Sequence, residues 1–139
     1  MRIRILWPAG QVTATLTATP TTEALLAVLP ISSSANTWGE EVYFDTPVSV
    51  PREHDARQVV EPGTVAFWTD GDSLALPYGP TPISRDGECR LASACNVLGE
   101  LDGDAQVLRT VRPGDPIRVE QAGPGPGPAP APAPALARP

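Results

Sequence analysis

Lysine is absent from this 139-residue chain, and all ten of its cationic side chains are arginines. Without an amine side chain it forms no Schiff base and offers no P-loop lysine to a terminal phosphate. Sixteen acidic residues set the net charge at −6, a balance that repels phosphate backbones and excludes nucleic acid as an expected partner. Histidine occurs once, at His54, and cysteine twice, at Cys89 and Cys95, six positions apart with no CxxC. That supports neither a zinc site nor a redox dithiol, so no metal and no cofactor is expected. Two free thiols are the expectation, a disulfide being favoured only in a secreted context. No apolar run is long enough to span a membrane. The N-terminus MRIRILWPAG alternates Arg and Ile like a strand and has too short an apolar run for a signal peptide. The reading is a soluble cytoplasmic protein with no membrane partner, its oligomeric state open.

What the chain does contain is a succession of short β-type runs. Its length fits one domain. Arg2 to Leu6 and Gln11 to Thr17 alternate at period two around Pro8-Ala9-Gly10, which predicts an antiparallel hairpin. Thr19 is a helix cap before Pro20, and Leu25, Leu26 and Leu29 are the buried stripe of a helix of about nine residues that Pro30 ends. Strand-like sequence resumes at Ser32, with Asn36 to Gly39 as a turn and Glu41 to Phe44 as the next run. Pro47 and Pro51 mark an edge or a loop. Val65 to Trp68 and Leu74 to Tyr78 flank Asp70-Gly71 as a second hairpin. Ser84 to Ser93 reads as a polar loop, Asn96 to Leu101 as a strand, Asp104 to Val111 as a short helix capped by Asp104, and Pro116 to Glu120 as a final edge strand. Many short strands with one or two short helices predict a mainly β fold, a closed or nearly closed barrel. Residues 122–139 change character to Gly, Pro and Ala, which predicts a disordered, polyproline-like tail after a folded domain over residues 1–121.

Gly71-Asp72-Ser73-Leu74 is letter for letter the nucleophile motif of the GDSL-type esterases. A serine nucleophile needs a base to take its proton, and no histidine follows Ser73; the esterase is therefore an unfavoured third reading, and the motif reads as a turn entering a strand. The two Asp-Gly-Asp units at Asp70 to Asp72 and Asp102 to Asp104 lack the spacing of a calcium loop and read as turns. His54, flanked by Glu53 and Asp55, reads as a solvated loop residue. The candidate binding residues are the aromatics Trp38, Tyr43, Trp68 and Tyr78 together with the turn-associated polar groups Asn36, Glu40, Thr81 and Asn96, because pockets are apolar with a few placed polar groups.

Four ordered motifs, Asn36 to Phe44, Gly63 to Trp68, Gly79 to Ser84 and Ala92 to Gly99, closely resemble the small bacterial and archaeal cyclophilin-like proteins of unassigned function, over about residues 1 to 121. The resemblance implies a closed eight-stranded barrel with helices at its ends. A weaker likeness to the true cyclophilins runs from Leu74 through Val111. Cyclophilins rotate X-Pro bonds against a barrier of about 18–20 kcal/mol, using an arginine aimed at a proline pocket. Where they have Phe-His-Arg this chain has Tyr43-Phe44-Asp45, and where they place two phenylalanines it has Leu74-Ala75. Arg57 and Arg85 are the substitutes the sequence offers. The resemblance thus implies a cleft that takes a peptide or small apolar ligand, with weak peptidyl-prolyl isomerase activity through Arg57 or Arg85 as the alternative. The Gly-Pro and Ala-Pro pairs of the tail are dipeptides that such a groove accepts, which makes self-occupancy a further expectation.

Overall fold

A computed structural model of the chain describes residues 1–123. The tail expected from residue 122 therefore lies outside the described residues except for Ala122 and Gly123. Both are still tied to the domain: Ala122 donates its backbone N–H to Arg2 O, and Arg2 Nη1 donates to Gly123 O.

Strand β1 (Arg2–Trp7) turns into β2 (Gly10–Leu16), followed by helix α1 (Pro20–Leu26), β3 (Ile31–Ser34), β4 (Asn36–Thr37), β5 (Glu41–Asp45), β6 (Arg57–Val59) and β7 (Thr64–Trp68). A 3₁₀ turn at Thr69–Gly71 leads into β8 (Ser73–Pro77); then come the long β9 (Arg90–Leu101), a 3₁₀ segment (Ala105–Thr110) and β10 (Pro116–Gln121). Nine strands lie in the order β3-β10-β1-β2-β9-β7-β8-β5-β4, and β6 pairs with β9. All ladders are antiparallel.

The fold is mainly β, as the alternating runs predict, but the expected closed, eight-stranded barrel needs correction. There are ten strands among the described residues, and the sheet's end strands, β3 and β4, share no ladder. They are instead consecutive in the chain, separated only by Ala35, whose N–H and C=O are taken by Asp115 O and Gly114 N. Three further differences have local causes. Asn36-Thr37 is a short strand on β5 (Asn36 opposite Tyr43) rather than part of a turn, which tightens to the residues that follow it. β10 is no edge: it lies between β1 and β3. β9 starts at Arg90, inside the presumed polar loop, because its first half is paired by β6, a three-residue strand too short and polar to stand out in the sequence.

Helix α1 begins as its sequence dictates, with the Thr19 hydroxyl accepting from Thr22 N and Pro20 at the first position. Leu25 is buried, while Leu26 and Leu29 are half-buried. Among the described residues no helix is long and apolar enough to cross a membrane.

Alternation along the strands sorts side chains into two clusters. Ile3, Ile5, Val42, Phe44, Phe67, Leu74, Leu76 and their neighbours fill the main core. The residues between them, Ala66 and Ala75, face a second cluster with Val60, Cys89, Leu91 and Cys95, against which Tyr43 and Trp68 pack. Gly99 sits where β9 passes between β2 and β7, beside a register shift at Val65/Ala66. A Cβ there would lie 2.0 Å from Thr15 O and 2.8 Å from Leu16 Cα, both backbone atoms that cannot swing away. Gly99→Ala is expected to cost about 3 kcal/mol by overpacking, read as a lower midpoint in urea unfolding; an unchanged midpoint would show that β2 and β9 are not this close.

Candidate functional site

The second cluster leaves a pocket of about 170 Å³. Its position follows from period two. Val42 and Phe44 of β5 point into the main core, so Glu41 and Tyr43 point to the other side, beside Ala75 of β8, which is paired with Tyr43. Trp68 closes β7, Trp38 precedes β5, and Leu91, Ala92 and Cys95 of β9 complete the lining. The floor residue is small, and that is what leaves the space open.

The aromatic walls are held in place. Tyr43 and Trp68 stand edge to face, with ring centroids 6.3 Å apart and planes at 81°. Trp68 Nε1 donates to Ser93 Oγ at 2.9 Å, Ser93 Oγ donates to Asp70 Oδ2 at 3.0 Å, and Arg52 pairs with that carboxylate at 3.6 Å. Trp38 donates its backbone N–H to Glu41 O across the turn. That turn is clamped by the Gly79 to Pro82 segment: Glu40 N donates to Pro80 O, Tyr78 N donates to Glu40 O, and Gly39, at φ +61°, has no room for a side chain beside Thr81 and Pro82. A Cβ on Gly79 would meet the Glu40 carboxylate.

Glu41 is the chemically distinctive member of the lining. Its side chain is buried, with the residue 6% exposed, and its Oε1 has no hydrogen-bond partner. Burial pushes its carboxyl up to about 7, since a charged form taken out of water is disfavoured. Burial, reinforced by the nearby Glu41, also pushes the thiols of Cys89 and Cys95 up to about 11 and about 12. Both thiols are free, as expected, and both are buried. Among the described residues no group of three or more His, Cys, Asp or Glu is placed to hold a metal ion.

Of the residues singled out in the sequence, the pocket brings together Trp38, Tyr43 and Trp68. The others lie elsewhere. Tyr78 belongs to the main core, and its C=O accepts from Gln106 Nε2. Thr81 is buried, its hydroxyl donating to Arg90 O and its N–H to Ser84 Oγ, which pins its turn to the start of β9. Asn96 is fully buried: its Oδ1 accepts from Glu53 N at 2.7 Å, and its Nδ2 donates to Thr21 Oγ1 and Pro51 O, tying α1 and the loop between β5 and β6 to β9. Asn36 is exposed and Glu40 packs on Gly79. Arg57 and Arg85 are exposed and outside the pocket lining, although Arg57 is the ladder partner of Cys95. Glu41, Cys95, Leu91, Ala92 and Ala75 were not singled out. The signal for Glu41 was present: it lies two residues before Tyr43 on one strand, hence on the same face.

The decoy motifs are structural. Ser73 is 1% exposed, and its hydroxyl bonds Asp45 Oδ1 and Gly71 O, while Asp72 takes the left-handed conformation that turns the chain into β8. Asp104 caps the second 3₁₀ segment through Gln106 N. For Asp102, burial opposes the charge, but hydrogen bonds from Thr13, Thr15 and Arg2 outweigh it and hold the carboxyl below its ordinary range.

Glu41 makes stability depend on pH with a definite sign. Below pH 4.5, the ordinary value, it is neutral folded or unfolded and carries no penalty; between 4.5 and about 7 the unfolded chain loses its proton first, so stability falls as pH rises. The loss by pH 8 is on the order of 3 kcal/mol. Glu41→Gln is expected to match the parent at pH 4.5 and to exceed it at pH 8 in urea unfolding. Parallel pH profiles for the two proteins would show that Glu41 is not desolvated.

The chain is similar to known proteins in sequence and in fold. The family model described as Cyclophilin-like matches residues 1–120. A hypothetical protein of Archaeoglobus fulgidus, known from its solution structure, is 40% identical, with a TM-score of 0.76 over 88% of this chain and 95% of its own. McbB, whose structure is in complex with tryptophan, is 21% identical with a TM-score of 0.60 over 90% of this chain but only 46% of its own, a likeness of fold. Among curated proteins none matches. With the family model spanning the whole described domain but its last residues, this chain belongs to the cyclophilin-like family.

Proposed function

We propose that this cyclophilin-like domain binds a small apolar or aromatic molecule, or a single such side chain of a peptide, in the pocket walled by Trp38, Tyr43 and Trp68. The observation that carries this reading is the pocket itself: about 170 Å³ of apolar space on rigid strands with one buried carboxyl in its lining. An apolar cavity of about 150 Å³ is enough to take up benzene, so the pocket has room for one ring or one apolar side chain of a peptide. The wall that a ligand would touch is preformed, because Trp68 is held by Ser93 and Trp38 by its turn. Among the described residues no arginine lines the pocket, so the isomerase alternative rests on Arg57, the ladder partner of Cys95, and on Arg85.

Amide and indole shifts in an NMR titration with benzene, indole and tryptophan test the reading. Shifts centred on Trp38, Tyr43, Trp68 and Leu91 are expected, and they should vanish in Ala75→Leu, which fills the floor. No shift with any probe at millimolar concentration would overturn it. In a cis/trans exchange assay on an Ala-Pro peptide no acceleration is expected; acceleration that Arg57→Ala abolishes would favour the isomerase.

A further inference from the structure

The pocket pairs two features that a purely apolar ligand does not explain. Three of its walls are the electron-rich aromatics Trp38, Tyr43 and Trp68, and its lining includes Glu41, a residue more than nine-tenths buried, one of whose carboxyl oxygens has no hydrogen-bond partner. An orphaned buried acceptor is costly unless a ligand supplies the donor or the charge. Aromatic faces attract cations, and rings set at right angles around a small volume are how proteins hold alkylated ammonium groups. Tyr43 and Trp68 stand at 81°. Among the described residues the lining carries an acid and no base, and the chain as a whole is at −6. A neutral ring would satisfy the walls and leave Glu41 unpaired; a metal ion would find too few ligands.

We propose that this pocket recognises a small organic cation, an alkylated ammonium group seated among the rings of Trp38, Tyr43 and Trp68 with Glu41 as its counter-charge. The inference rests on the pocket being a binding site and adds the charge of the occupant. The alkyl substituents meet the apolar walls, and the positive centre meets the ring faces and the carboxylate. Binding is then linked to the protonation of Glu41, whose burial keeps it partly neutral near pH 7. The other titratable groups around it are Tyr43 on its own strand, Cys95 and Cys89 on and before β9, whose thiols stay neutral through this range, Glu40 in the adjoining turn, and the Asp70–Arg52 pair at the Trp68 side. The affinity for a permanent cation accordingly rises from pH 5.5 to pH 8.

The test compares choline with its neutral isostere 3,3-dimethylbutan-1-ol, by calorimetry and NMR on the full chain. Choline is expected to bind at least tenfold more tightly at pH 8, to weaken about tenfold by pH 5.5, and to lose its advantage in Glu41→Gln, whose fold is checked by its amide spectrum. Equal affinity for the two compounds would overturn the cation inference while leaving the pocket reading intact. Binding of neither, together with no response to benzene or indole, would overturn both. A choline preference that persists unchanged in Glu41→Gln and across pH would remove Glu41 from the proposal.

Discussion

Two-sided burial of β8 is the constraint on which the rest of the domain depends. All five of its residues, Ser73 to Pro77, are buried, so successive side chains must satisfy two different environments. Leu74 and Leu76 enter the main core, while Ala75 faces the second cluster. Because β5 and β7 flank β8 in register, the same division passes to them: Phe44 and Phe67 on one side, Tyr43 and Ala66 on the other. A one-residue slip in any of these ladders would exchange the two sets and bring bulky core residues into the pocket. The second side is covered only because β9 is long enough, at 12 residues, to pair with β6 along its first half and with β7 and β2 along its second.

The motifs that carry the family likeness do mostly architectural work. Gly39 and Gly79 let the turn before β5 close against the segment after β8, and Thr81 and Ser84 fasten that segment to β9. Asn96 joins three otherwise separate pieces of chain with one side chain. These contacts put Trp38 and Glu41 where they are, and the motifs also supply most of the lining: of its eight residues only Ala75 and Leu91 lie outside them.

Much of the fold was legible because local rules governed it. The β1–β2 hairpin, the Thr19–Pro20 helix start and the Asp104 cap are each set by neighbouring residues. What escaped was set by distant ones. β6 and the first half of β9 are strands only because they pair with each other, and β10 is internal because β3 returns to it. The site divided in the same way. Trp38, Tyr43 and Trp68 stood out by residue type, whereas Tyr78, Thr81 and Asn96 are equally conspicuous but serve core and turn. Glu41 was overlooked because a charged residue on a strand ordinarily faces water; only the covering layer formed by β6 and β9 turns that face inward.

The chain's passage from β3 through Ala35 into β4 has a bearing on how the domain behaves among other molecules. A sheet that stops short of closing has two margins, and each exposes backbone groups that a foreign strand can extend. Here one margin is a four-residue strand with three serines and the other is two residues long. Neither is long, flat or apolar enough to template a partner strand, so the unclosed sheet carries little of the aggregation hazard that open edges usually bring.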